Sequence, residues 1–231
     1  MTNQISHSFR NIDVFMHFDI VSRTHTYAAQ SHLRRQTAVL VQQFSCRRWP
    51  LRGYALLSLL MTWPLAARLG TAFPSDTGSD MLVHEWTLWY LRNTLLNLQN
   101  PFTTDLLAHP SGVALTSHNI AWMNFGVGLP LALAFGQATA TSLTYLAIFT
   151  FNAYAMYLFA FAQTGSRASG WVAGLIFGFF PVTLSDGGHV NMLITGWLPL
   201  ALLYLQRVLL AGGWRNAFFA GLFFALLGIS R

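Results

Sequence analysis

The sequence predicts an all-α, polytopic transmembrane helical bundle with an external juxtamembrane helical loop. Three observations carry that prediction. The 231 residues are 54% hydrophobic and only 9% charged, against about 25% charged residues in an ordinary soluble domain. Mean hydropathy is +0.44. Long apolar runs recur from about residue 49 to the end of the chain, as expected of membrane helices.

All thirteen basic residues are arginine, and seven of them precede residue 53. A pI near 10.1 would suit nucleic acid. Arginines gathered just ahead of the first apolar run instead read as a cytoplasmic flank that sets membrane orientation, so no nucleic-acid partner is expected. Cys46 is the single cysteine, which excludes an internal disulfide and a cysteine metal cage. Residues 1–48 form a polar leader, expected to be poorly ordered, whose His7, His17, His25 and His32 match no zinc-site spacing. The first apolar run begins too far into the chain for a cleaved signal peptide. It therefore reads as a retained anchor with the N-terminus in the cytoplasm. The chain stops within "FFAGLFFALLGISR", so a fragment of a larger protein is expected.

The first span covers about 49–69, with Pro64 as a kink. Residues 70–140 are assigned to an external loop. Within it, "DMLVHEWTLWYLRNTLLNL" brings Leu82, Trp86, Trp89, Leu95 and Leu96 together at helical spacing, the pattern of a helix lying along the interface. The segment 120–136 is apolar but holds Asn124, Gly126, Gly128 and Pro130. Charge decides its placement. If it stays at the outer surface or re-enters, Arg167, Arg207 and Arg215 fall on the cytoplasmic side, satisfying the positive-inside bias. Four further spans follow at about 141–163, 169–184, 192–211 and 216–230. Small residues every fourth position, Gly170–Gly174–Gly178 and Ala217–Gly221–Ala225, predict close helix packing.

This topology puts Asp76, Asp80, His84 and Glu85 in the same outer compartment as Asp186 and His189. No carboxylate falls within a predicted span, which argues against a proton-coupled or ion-coupled transporter. A carboxylate at the membrane boundary can take a proton from an attacking hydroxyl or help place a divalent cation. Asp80 and His84 are four residues apart and share a helix face. Asp80 is also well placed simply to cap the following helix, Glu85 to be solvated, and Asp186 and His189 to form a polar turn.

Two blocks carry a resemblance. "GSDMLVHEWTLWYL" follows the first span, and "GFFPVTLSDGGHVNMLITGWLPLALLYLQR" occupies residues 178–207. Their order resembles the large bacterial membrane proteins of the GT-C glycosyltransferase superfamily. Those show an external Gly-Asp loop with an aromatic-rich helix, then a Phe-x-Pro helix end, a His-containing loop and a Trp-x-Pro-Leu helix. The resemblance covers roughly residues 50–231 and implies sugar transfer from a polyprenyl-phosphate donor to an acceptor glycan, lipid or protein at the outer face of a bacterial plasma membrane. It implies a catalytic first-loop aspartate, Asp80 or Asp76; the extra Ser79 leaves both open. His84, Glu85, Asp186 and His189 are the expected substrate-binding residues. No metal site is assigned, and a divalent cation is an open cofactor. The competing reading is a non-catalytic multi-span protein, a transporter-like component or a scaffold.

Overall fold

In a computed structural model, residues 48–74, 80–117, 122–181, 184 and 190–230 are described. The leader, Asp76, Asp186 and His189 lie outside them. The described residues are mostly helical: α1 (Arg48–Met61), α2 (Met81–Leu96), α3 (Trp122–Phe135), α4 (Gln137–Thr164), α5 (Arg167–Gly178), the short α6 (Val190–Leu193), α7 (Trp197–Ala211) and α8 (Trp214–Ile229). A 3-10 turn, Leu65–Arg68, follows α1. A two-residue hairpin pairs Thr103 with Ala114 and Thr104 with Val113. The Tyr90 hydroxyl donates to Thr103 O at 2.5 Å and ties that hairpin to α2.

The long α4 organises the bundle. Its 28 residues contain no proline or charge, and glycines at positive φ bound it: Gly136 (82°) before and Gly165 (68°) after. Among the described residues it is the one helix long and apolar enough to cross a membrane. Apolar but shorter are α7, α8 and the Gly126–Phe135 part of α3.

Side-chain pairs give the helix directions. Against α4, α1 runs antiparallel: Tyr54 packs on Tyr157, and the Ser58 and Thr150 hydroxyls bond at 2.9 Å. The antiparallel α5 places Gly170 on Tyr157 and Gly178 on Ala153. Parallel to α4 lies α7, with Trp197 on Phe151 and Gln206 paired with Gln163. Then α8 returns along α7, placing Phe219 on Tyr204 and Phe223 on Trp197. One end of the bundle therefore gathers the end of α1, the start of α4 and the end of α5. The opposite end gathers Arg52, Arg167, Arg207 and Arg215.

The first glycine stripe packs as expected. A Cβ at Gly174 would meet the Tyr54 hydroxyl and lie 2.5 Å from the Ala153 carbonyl oxygen. The second stripe does not: Gly221 has open space around it, and Ala217 and Ala225 are exposed. Spacing allows close approach but does not supply a partner.

Boundaries also differ from expectation. The described part of the 169–184 run breaks after Gly178, where the Phe179 amide closes the turn on Leu175 O, and Pro181 and Leu184 are again helical. Pro181 disfavours helical geometry at the residue before it. The two helices α3 and α5, of 14 and 12 residues, are about 21 and 18 Å long at 1.5 Å per residue.

Two helices expose large apolar side chains. On α2, Leu82, Trp89, Leu95 and Leu96 are exposed while His84, Glu85, Thr87 and Thr94 are buried. On α8, Trp214, Phe218, Leu222, Phe224 and Ile229 are exposed, and Ala220 alone within that helix is buried.

Candidate functional site

A cavity of about 360 Å³ opens at the α1-terminal end of the bundle. Trp63, Pro64 and Leu65 form one wall, Ala72 to Pro74 a second, and Tyr145 and Phe149 of α4 a third; Leu184 completes it. Phe73 and Pro74 lead into the first acidic loop, and Leu184 leads into residues 185–189. Described residues that flank both of these segments in sequence thus line one cavity. Beneath it, Leu65, Met81, Tyr145, Phe149, Leu193 and Ile194 share a buried apolar cluster. The Tyr145 hydroxyl donates to Met81 Sδ at 3.5 Å, so a cavity wall touches the residue that follows Asp80.

Asp80 occupies the N-cap position of α2, yet its backbone is helical (φ −57°, ψ −11°) and its carboxylate makes no capping bond. Side-chain capping needs an extended backbone at that position. The residue is exposed. One turn later His84 is buried, so the expected pair divides into an exposed carboxylate and a buried imidazole.

Glu85 is neither solvated nor available to a substrate. Thr141 donates to its Oε1 at 2.5 Å, and Gln137 Nε2 donates to its Oε2 at 2.8 Å and to its carbonyl at 2.6 Å. These bonds fasten α2 to the first turns of α4. Burial raises the Glu85 pKa above its ordinary value, and the bonds from Thr141 and Gln137 offset part of that rise. A carboxyl that holds its proton more tightly when folded loses stability as pH rises from the unfolded value of 4.5 toward the raised folded one. Glu85→Gln is therefore expected to abolish that slope and to raise thermal stability most at neutral pH, read by unfolding in detergent from pH 4 to 8. An identical slope in wild type and variant would remove this assignment.

Two groups important to the site are absent from the sequence-derived set. Among the described residues, Arg68 is the one charged residue lining the cavity. The signal was its position at the far end of the first apolar run from Arg47, Arg48 and Arg52. Asn152 sits fully buried midway along α4 and bonds the backbone of residues 193–196. A lone amide inside an apolar run is such a signal too. Among the described residues, no three His, Cys, Asp or Glu side chains gather to hold a metal ion. No protein family, curated protein or solved structure matches the chain.

Proposed function

We propose that the chain is a polytopic membrane protein of GT-C-like type, transferring a sugar from a polyprenyl-phosphate donor to an acceptor hydroxyl at the outer face. The observation that carries this reading is the single cavity bordered by residues 72–74 and by Leu184, the flanks of both acidic loops. Its orientation follows from charge: Arg52, Arg167, Arg207 and Arg215 occupy the opposite end, which the positive-inside bias assigns to the cytoplasm. Exposed Leu and Trp on α2 and exposed Phe on α8 suit hydrocarbon and interfacial surroundings.

In this reading the first-loop aspartate, Asp80 or Asp76, accepts the proton of the acceptor hydroxyl. That oxygen then bonds to the anomeric carbon as the bond from that carbon to the phosphate oxygen breaks, and the lipid phosphate leaves with the electron pair. Asp80 is the stronger candidate by position: it directly precedes Met81, which the Tyr145 hydroxyl of the cavity wall contacts. Asp186 and His189 serve as substrate contacts from the second loop. Glu85 serves by fixing α2.

Asp80→Asn and Asp76→Asn, singly and together in the protein as the cell makes it, test the proposal. General-base removal is expected to lower transfer from a defined polyprenyl-phosphate sugar at least about 100-fold at unchanged membrane level. Full transfer by the double variant would leave the scaffold or transporter-like reading in its place.

A further inference from the structure

We infer that Arg68 is the anion-binding residue of a lipid-phosphate site, in which the phosphate sits in the cavity and the hydrocarbon chain leaves along α1. It deepens the function proposed above by naming the group that would hold the lipid-borne phosphate, and it rests on that reading of the cavity as membrane-facing.

The backbone of Arg68 is held firmly. Its carbonyl accepts from Thr71 N at 3.0 Å, Ala72 N at 3.2 Å and Thr71 Oγ1 at 3.1 Å, and the buried Leu65 anchors the 3-10 turn that carries it. The guanidinium, by contrast, makes no hydrogen bond or ion pair among the described residues. Among the described residues, no acidic side chain lines the cavity. A cation carried on a fixed backbone turn, with no acidic partner among the described residues and in a concave, mostly aromatic and aliphatic setting, favours an anion, and the five-donor guanidinium fork suits phosphate geometry.

Position strengthens the argument. Arginines are biased toward the cytoplasmic end of spans, and Arg68 stands at the opposite end from the Arg52–Arg167–Arg207–Arg215 group. A cost in topology is offset where the residue has an anionic ligand to hold.

The cavity also selects a lipid over a soluble phosphate. Its volume of about 360 Å³ lies at the low end of small-molecule sites, which run from about 300 to 1,000 Å³; it fits a headgroup and not a long chain. Met61 and Trp63 line it and are themselves exposed, and Leu56, Leu59 and Leu60 continue that exposed apolar face up α1. A tail leaving the cavity therefore meets a ready hydrocarbon track, whereas inorganic phosphate would leave those contacts unused.

The test is equilibrium binding of radiolabelled farnesyl phosphate to the full chain in uncharged detergent micelles. Saturable binding is expected, weakened about 10- to 100-fold by Arg68→Gln, the range for losing a charge-assisted hydrogen-bonded contact. Arg68→Lys is expected to recover part of it as a point charge. Farnesol should compete poorly because it lacks the anion, and inorganic phosphate poorly because it lacks the chain. Equal affinity of wild type and Arg68→Gln, or competition by inorganic phosphate matching that of farnesyl phosphate, overturns the inference. A melting temperature shared by wild type and Arg68→Gln separates lost binding from lost folding; Arg68→Lys does so if Arg68→Gln fails to fold. The outcome is separable from the transferase reading. Arg68-dependent binding alongside full transfer by the aspartate double variant would keep the lipid site and remove the catalytic role. Lost transfer in the aspartate variants with Arg68-independent binding would do the reverse.

Discussion

Gly174→Leu is expected to prevent α5 from seating against α1 and α4, with a stability loss of about 3 kcal/mol or more, at or beyond the top of the usual overpacking range. Even a methyl group at Gly174 would lie 2.5 Å from the carbonyl oxygen of Ala153, and beside the Tyr54 hydroxyl. That hydroxyl cannot simply swing away. It donates to Trp171 O at 3.0 Å and to Gly170 O at 3.3 Å, and its ring packs on Trp171 and Tyr157. Ala153 is backbone on the central helix, so relief requires moving α4 or α5 as a whole. Gly178, one turn on, would bring its own Cβ 2.5 Å from the Ala153 Cβ, so a small outward shift of α5 sacrifices both contacts. The control is Gly221→Ala on α8, where nothing lies within 4 Å of the added carbon. That change should be neutral or stabilising by up to about 1 kcal/mol through helix propensity. Monodisperse protein surviving a heating series in detergent reads both. A Gly174→Leu chain as heat-resistant as wild type would mean that α5 does not lie against Tyr54 and Ala153.

The contrast between these glycines shows what the sequence could reveal. Gly170–Gly174–Gly178 and Ala217–Gly221–Ala225 have the same spacing and predict the same packing. The first finds Tyr157, Tyr54 and Ala153, and the second faces open space, because a period encodes a helix face and not what covers it. Similarly, the apolar run at 141–163 located α4 to within four residues at either end, since a continuous run bounded by glycine has one reading. The break after α5 was missed because hydropathy persists through Phe179 and Phe180 while the helix does not. At the site, charge bias alone put the two acidic loops at one end. Residues 72–74 and Leu184, which flank those loops in sequence, line one cavity. Glu85 was misjudged because a carboxyl beside exposed Trp and Leu suggests solvent; its partners Gln137 and Thr141 lie 52 and 56 positions away.

Asn152→Leu is expected to release the chain between α5 and α7 while leaving the α1–α4–α5 packing in place. The Asn152 amide donates to Leu193 O at 2.7 Å, and its oxygen accepts from Gly196 N at 2.7 Å and Thr195 N at 3.1 Å. It is fully buried. These bonds satisfy the backbone where α6 has ended and α7 has not begun. Such a break is tolerated in an apolar interior only when its polar groups are paired. Leucine has the same branching and heavy-atom count but no polar atoms, so the Gly196 amide is left without a partner, and Leu193 O and Thr195 N keep only each other, at 2.9 Å. One unpaired buried group costs about 1–3 kcal/mol, and local rearrangement will recover some of the total; a loss of about 3 kcal/mol is expected. Opening of that size raises amide exchange about 100-fold. Hydrogen exchange should therefore accelerate at Thr195 and Gly196 and change little at Tyr54 or Ser58, whose partners lie on other parts of α4 and on α5. Uniform acceleration would indicate a global role for Asn152, and unchanged exchange at Thr195 and Gly196 would show that something else holds the break. Leu193, which Asn152 holds, ends α6, and the first residue of α6, Val190, follows the second loop in sequence.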